Sequence, residues 1–280
     1  MKILVTGGAG YIGSNLIKLL KKNSNINITS IDNYFTGTKK NHINGVIYKK
    51  ANTWDKKLKF EIERQDVVFH FGEYSRVVPS FKDIEYVMQS NLLGTSRIIN
   101  LCKLWNAKLI YSASSSKFGG NENLSPYSWV KAKMVELIKN YKKWFNLQYE
   151  ICYFYNVYGK NHLAYGDYAT VIAIFEKQLM NNKSLTVVGD GQQKRQFTHI
   201  NDIIIALGKI MNQNKNKEWY LSSDKNYKII DVAKMFSEKI RFIPERKGER
   251  QKATTIKNDT KKILNWKIKY DLKKYINEQK

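Results

Sequence analysis

Two hydrophobic patterns alternate along the first half of the chain. Short runs of consecutive apolar residues, several of them β-branched, occur at 2–6, 27–31, 45–48, 66–72, 107–113 and 148–155. Runs of this length, too apolar to leave either face in water, read as strands of a parallel sheet covered on both sides. Between them, apolar residues recur every three to four positions at 14–22, 57–64, 80–105 and 126–144, the spacing of amphipathic helices. Ser80 and Asp83 supply a Ser-x-x-Asp start for the third of these. Strand alternating with helix predicts an α/β fold on a doubly wound parallel sheet.

Past residue 155 the alternation loosens. A glycine-containing loop at 158–167 precedes a helix at 168–180, a strand at 185–190 ending in Gly189-Asp190-Gly191, and a helix at 201–211 that returns to the main sheet. Segments 219–222, 227–236 and 259–266 complete a smaller mixed α/β region. Without a repeat or a proline-rich hinge, both parts read as one compact unit.

The first strand runs into Gly7-Gly8-Ala9-Gly10-Tyr11-Ile12-Gly13 and then a helix. In that context glycines give a tight turn, close approach of a pyrophosphate to backbone N–H groups, and tight helix packing. Asp32-Asn33 ends the second strand, and Asp32 lies nineteen residues past Gly13, where an acid meets the ribose hydroxyls of an adenosine. A 2′-phosphate would be repelled there, so NAD is favoured over NADP, although Lys39 and Lys40 lie close in sequence. Residues 1–155 are therefore assigned to dinucleotide binding, completed by parts of 195–225, and 156–280 mainly to substrate.

Tyr127 and Lys131, four apart in the run at 126–144, share one helix face. An ammonium beside a phenol favours the phenolate, which makes the two a proton-transfer pair. Tyr-x-x-x-Lys also arises by chance in helices. The glycine fingerprint singles this one out, together with Ser114-Ser115-Ser116 at the carboxyl end of the fifth strand, the edge where open parallel sheets bind ligands.

Composition adds one rival. The chain has 280 residues, 48 Lys+Arg against 24 Asp+Glu, and a net charge of +24, which attracts polyanions. The lysines are spread from Lys2 to Lys280 rather than gathered into one arm or helix face, so no specific nucleic-acid partner is expected. Cys102 and Cys152 have no metal-ligand spacing and make no disulfide framework, which suits a reducing cytoplasm. The four histidines are scattered and read as structural or loop residues, so no metal is expected. No run approaches the ~18–20 apolar residues that span a bilayer, and the apolar N-terminus reads as a strand rather than a signal peptide.

Several strings taken together resemble the extended short-chain dehydrogenase/reductases, a Rossmann-type fold. They are Gly7-x-x-Gly10-x-x-Gly13, Asp32-Asn33, Asn91-Leu-Leu-Gly-Thr95, Ser114-Ser-Ser-Lys-Phe-Gly119, Tyr127-x-x-x-Lys131, Asn156-Val-Tyr-Gly159 and Gly189-Asp-Gly191. The nearest branch is the NAD-dependent epimerase/dehydratase family and, within it, enzymes like UDP-glucose 4-epimerase. The resemblance implies NAD as cofactor, held by Gly7, Gly10, Tyr11, Ile12, Gly13, Asp32, Asn33, Asn52, Phe71, Gly72, Asn91, Tyr127 and Lys131. It implies Tyr127 as acid and base, Lys131 on the nicotinamide ribose, and Ser114 on the sugar O4. Ser115, Ser116, Asn156, Val188, Arg195, Arg246, Glu249 and Ala253 would line the UDP-sugar site. Arginine suits diphosphate because its planar fork makes two-point contacts. A homodimer is implied, with helices 80–105 and 126–144 of each subunit forming a four-helix bundle through Tyr86, Leu93, Ile99, Leu104, Val135, Ile138 and Trp144.

The chain departs from the family pattern at several positions. Asn52 replaces an aspartate, Tyr153 stands where relatives often have arginine and Phe118 where they have tyrosine. The segment between Gly119 and Tyr127 is short, and Glu73 puts a carboxylate where the family has a small residue. As to reaction, the resemblance implies a shared first step, oxidation at the sugar C4. Dehydratases then need an Asp-Glu pair directly after the catalytic hydroxyl residue, and decarboxylating relatives carry a Glu near it. Here Ser115 and Ser116 hold those positions, and a hydroxyl is a poor general acid. NAD-dependent 4-epimerisation of a UDP-hexose is the expected function. A sugar-nucleotide reductase or dehydratase of the same family, or a nucleic-acid-binding protein on this fold, is the alternative. The small Ala253 would admit a UDP-N-acetylhexosamine as well as UDP-glucose.

Overall fold

The computed structural model describes residues 1–118, 122–164, 166–248 and 256–279. In chain order the elements are β1 (Lys2–Thr6), α1 (Tyr11–Leu20), β2 (Asn27–Asp32), β3 (Ile47–Lys50), α2 (Leu58–Glu61), β4 (Val67–His70), α3 (Ile84–Val87), a π-helical segment (Met88–Gly94), α4 (Thr95–Trp105), β5 (Lys108–Ser114), α5 (Pro126–Phe145) and β6 (Tyr149–Phe154). There follow β7 (Val157–Tyr158), α6 (Val171–Met180), β8 (Leu185–Val188), β9 (Lys194–Gln196), β10 (Thr198–His199), α7 (Ile200–Met211), β11 (Glu218–Leu221), β12 (Asn226–Lys228), α8 (Ile229–Phe236), β13 (Ile240–Ile243), α9 (Thr260–Ile263) and α10 (Leu272–Asn277).

Seven strands form one parallel sheet in the order β11-β6-β5-β4-β1-β2-β3. Because side chains alternate along a strand, each strand feeds both layers. Leu4, Val68, Leu109 and Tyr111 pack with Ile98, Cys102, Val130 and Ile138 from α4 and α5. Ile3, Val5, Phe69 and Ile110 pack with Leu16 and Ile17 of α1 and Ile203 and Leu207 of α7. Each such fully buried side chain contributes ~1.5–3 kcal/mol. A third cluster, with Phe175, Leu185, Val187, Val232, Phe236 and Ile276, joins α6, β8, α8 and α10 outside the main sheet.

The edge strand β11 is secured by a buried acid. Glu150 accepts from the backbone N–H groups of Lys215 (2.7 Å), Asn216 (3.2 Å) and Lys217 (3.2 Å) and from the Trp219 indole (2.6 Å). Helix α5 starts at Ser125, whose hydroxyl accepts from the Ser128 N–H at 3.1 Å, with Pro126 at the first helical position. No helix among the described residues is long and apolar enough to cross a membrane.

The helix expected over 80–105 is interrupted. A 3₁₀ turn at Val78–Phe81, one α turn at Ile84–Val87 and the π-helical segment precede α4. Ser80 does not cap. Its hydroxyl donates back to the Val77 carbonyl at 2.5 Å, and Asp83 accepts instead from the Tyr74 and Tyr168 phenols at 2.8 and 2.9 Å. The π segment draws Asn91 inward to clamp the Tyr74 backbone, and a Cβ at Gly94 would lie 2.2 Å from Thr53 Oγ1. Two further helices are shorter than their periodicity implies. That at 57–64 keeps one turn, and that expected from 168 begins at Val171, capped by Thr170 (3.4 Å).

Candidate active site

The strand order reverses between β1 and β4, so the loops leaving these strands diverge and open a crevice at the carboxyl edge. The crevice belongs to a cavity of about 1150 Å³ that runs from Asp32 past Tyr127 to Arg195 and Arg246.

At the β1 end, Gly7 has φ +70°, and a Cβ there would meet Gly72 N at 2.8 Å. A Cβ at Gly13 would lie 2.3 Å from the Gly7 carbonyl oxygen. Gly10 opens α1 without a side-chain cap, so the first-turn N–H groups of Tyr11, Ile12 and Gly13 are free for an anionic group. The backbone cradle that a pyrophosphate requires is thus present. Asp32 is buried and accepts from Ala9 N at 2.9 Å and Tyr34 N at 2.7 Å, which fixes its carboxylate against the glycine turn with acceptor capacity to spare. Burial raises its pKa, and the N–H groups of Tyr34, Ala9 and Gly10 oppose that rise.

Two expected cofactor residues are placed elsewhere. Asn91 is fully buried under the Tyr74 backbone, accepting at 2.7 Å and donating at 2.8 Å, and does not line the cavity. Asn52 turns its amide oxygen to Asn33 (3.1 Å) and its amide nitrogen to Asp55 (3.3 Å), and it too is absent from the lining. Thr53 and Trp54 take its place in the wall, and Thr53 Oγ1 is buried with no partner among the described residues. Sequence reasoning missed both because the local motif pointed to Asn52, just before them.

Farther along, β5 delivers Ser114, and a 3₁₀ turn at Ser115–Phe118 folds the serines back so that Ser116 N–H donates to Ser114 Oγ at 3.2 Å. Ser114, Ser115, Ser116, Tyr127 and Lys131 all line the cavity. Tyr127 sits on the first turn of α5, its N–H on Ser80 Oγ at 3.4 Å, and is 8% exposed. Lys131 is 4% exposed, and its ammonium donates to the Ser112 carbonyl and to the Glu73 carboxylate. Glu73 in turn accepts from the Thr95 hydroxyl (2.9 Å) and the Tyr111 phenol (3.0 Å).

On the substrate side, Asn156, Val188, Arg195 and Arg246 line the same cavity, and the Asn156 amide donates to the Gln196 carbonyl at 2.7 Å. Glu249 and Ala253 lie outside the described residues. Arg76 is a cation that no sequence pattern selects. Its Nε donates to the Tyr168 carbonyl at 2.7 Å with Nη2 on the same oxygen, and it lines the same cavity as Tyr127. Desolvation lowers its pKa.

The NAD-dependent epimerase/dehydratase family profile matches residues 3–221. The chain belongs to that family. A protein provisionally named UDP-glucose 4-epimerase from Methanocaldococcus jannaschii is 32% identical over 98% of this chain and 95% of its own length. Among solved structures, UDP-glucuronic acid 4-epimerase from Bacillus cereus, in complex with UDP-glucuronic acid and NAD, is 26% identical with a TM-score of 0.90, covering 100% of this chain and 98% of that one. UDP-glucose 4-epimerase from Thermotoga maritima has a TM-score of 0.91 at 23% identity, covering 99% and 96%, and shares the fold. The protein is thus an NAD-dependent enzyme of this family, and the glycine cradle and Asp32 fit that cofactor.

Beneath the site lies His70, fully buried between the hydroxyls of Thr6 (2.7 Å at Nδ1) and Thr95 (2.9 Å at Nε2). Burial pushes its pKa down to about 4 from the ordinary 6.5. The unfolded chain therefore binds a proton that the folded one refuses, and the contribution is fully present above pH ~6.5 and lost as pH falls toward 4. Urea unfolding should show a falling free energy across that window. Replacing His70 with Asn should flatten it by up to about 1.4 kcal/mol per pH unit, one proton's worth, while His199, which burial also pushes to about 4, keeps its own contribution. An unchanged slope in that variant would assign the proton elsewhere.

Proposed function

We propose that the enzyme is a UDP-hexose 4-epimerase, and that Tyr127 carries the proton to and from the sugar O4 while Ser114 orients that oxygen. NAD, when bound, supplies the acceptor and donor of the hydrogen at C4. Lys131, one turn along the helix from the phenol, would hold the nicotinamide ribose, and Arg195 and Arg246 the diphosphate. The sugar, once oxidised to its 4-keto form, presents its other face, and Tyr127 returns the proton.

The observation that carries this choice is the pair Ser115 and Ser116 in the cavity wall directly after Ser114. Elimination of water across C5 and C6 needs an acid and a base at that place, and hydroxyls at their ordinary pKa serve poorly. Glu73 does not substitute, because its side chain is 2% exposed and engaged by Lys131, Thr95 and Tyr111. Tyr127→Phe should lower turnover by at least ~10²-fold, the usual effect of removing an essential acid/base, while leaving binding of NAD and UDP-glucose within a few-fold. Conversion of UDP-glucose to UDP-galactose, followed for both proteins, checks it. A variant with more than a tenth of wild-type rate would move the base to another group.

For the sugar, the small Ala253 supports acceptance of UDP-N-acetylglucosamine. Wild type should epimerise both sugars, and Ala253→Tyr should discriminate against the acetylated one by roughly ten- to hundred-fold in kcat/KM, the effect of ~1–3 kcal/mol of overpacking. Equal handling of both sugars by the variant would remove Ala253 from the sugar site.

For assembly, we infer a homodimer through the outer faces of the π segment, α4 and α5. Ile99, Val135 and Ile138 belong to the subunit's own core, whereas Leu93 (43%), Leu104 (67%) and Trp144 (60%) stand exposed along these helices and favour a second copy as cover. Sedimentation at micromolar concentration should give a dimer, and Leu104→Glu with Trp144→Glu should give a monomer. A wild type that sediments as a monomer overturns the inference.

A further inference from the structure

An uncommon element of this site is the carboxylate beside the lysine of the acid/base pair. Glu73 leaves the end of β4 and meets groups from three other elements. Lys131 of α5 donates to Oε2, while Thr95 of α4 and Tyr111 of β5 donate to Oε1 at 2.9 and 3.0 Å. Ser112 Oγ lies 3.3 Å from Oε2 but has one proton, which the nearer His70 carbonyl takes at 2.8 Å.

The network also fixes the state of its neighbours. Thr95 gives its proton to Glu73, so His70 must donate to Thr95 from Nε2 and accept at Nδ1 from Thr6. Thr6 Oγ1 in turn accepts from Phe71 N (3.1 Å) and Gly72 N (2.9 Å). One chain of hydrogen bonds, each with a single direction, runs from the glycine crevice through a neutral imidazole to the carboxylate and the ammonium. A buried ion pair is a poor source of stability, since desolvating both charges offsets most of their attraction. Its presence within the catalytic pair calls for another reason.

We propose that Glu73 is a positioning residue for Tyr127 and Lys131: its carboxylate fixes the ammonium and offsets most of its field at the phenol, so the proton carrier works beside an ion pair rather than a lone cation. Lys131 is then held whether or not the cofactor is bound, because two of its three N–H groups already have protein acceptors. The remaining N–H has no hydrogen-bond acceptor among the described residues and can serve a ribose hydroxyl. The proposal rests on the reading of Tyr127 as proton carrier, but its decisive measurement requires no substrate.

The groups that face the pair are few. Lys131 lies on the phenol's own helix, Arg76 and Glu73 come from the loop after β4, Tyr111 from β5, and His70 from beneath. Arg76 acts equally in every variant below and cancels from the comparison. Tyrosinate absorbance, taken as the difference between each protein and the same protein carrying Tyr127→Phe, isolates this phenol from the other tyrosines. With Glu73→Gln the ammonium acts unopposed, and the midpoint of that difference titration should fall by about one pH unit or more, the range for a unit charge within a few ångströms. With Glu73→Gln and Lys131→Met together, neither charge remains, and the midpoint should return to within about half a unit of wild type.

The double variant leaves no buried charge unpaired, so it decides the matter even if the single one fails to fold. A double-variant midpoint a unit or more above wild type would show that the ammonium acts unopposed in the native protein, and would overturn the proposal. So would a Glu73→Gln midpoint equal to wild type. A merely structural carboxylate would lower the urea midpoint and the rate at every pH alike, without moving the acid limb of the kcat profile, which here should shift the same way as the absorbance. If wild type turns over no UDP-hexose, the epimerase reading fails while the titration still tests Glu73.

Discussion

The site depends on the contact of two backbones, Gly7 after β1 and Gly72 after β4. A Cβ on Gly7 would meet Gly72 N at 2.8 Å, and one on Gly72 would meet Gly7 N at 3.0 Å. Neither loop can carry a side chain at this point without separating β1 from β4, which pair in register from Ile3 with Val67 to Thr6 with His70. A parallel sheet that reverses its order here must leave the two loops diverging immediately above the contact. The same constraint that closes the sheet therefore opens the crevice.

That contact is wired to the chemistry. Thr6, last in β1, accepts from Phe71 and Gly72 and reaches His70, whose other nitrogen meets Thr95 and, through it, Glu73. Helix α5 enters through Lys131, which donates to Glu73 and to the Ser112 carbonyl of β5. Lys131 is thus tied to the sheet both through Glu73 and directly at β5. Rotation of α5 would break the buried ion pair and the bond to β5 together.

The sheet was legible because its strands are buried on both faces, and continuous apolar runs have few other readings. The glycine turn, Asp32, Ser114 to Ser116, Tyr127 and Lys131 were legible because their spacings, the strand ends they follow and the family resemblance all pointed to one edge. What escaped was set by tertiary contact. The helix over 80–105 breaks where Asn91 turns to hold Tyr74 and Asp83 turns to two phenols, partners 17, 9 and 85 positions away. Asn52 was drawn off by Asn33 and Asp55, which left Thr53 in the wall. Arg76 could not be distinguished from other cations in a chain of net charge +24 until its place beside Tyr127 was seen. Glu73 was visible as a departure, but its role lies in partners from three elements that no local pattern joins.

Enzymes that share a first step are separated by what their sites lack as much as by what they hold. A carboxylate in the cavity wall would ordinarily argue for elimination or for a second proton carrier, and Glu73 is such a carboxylate. Its availability decides the matter. A group held by an ammonium, a threonine hydroxyl and a tyrosine phenol at 2% exposure cannot swing toward a sugar without breaking one of those bonds. Breaking the bond to Lys131 would leave a buried cation and a buried anion uncompensated, a cost of several kcal/mol that elimination would have to meet at every turnover. With Ser115 and Ser116 beside Ser114, the proposed assignment of Tyr127 as the one proton carrier asks for no further acid or base, which is what favours the 4-epimerase reading over dehydration.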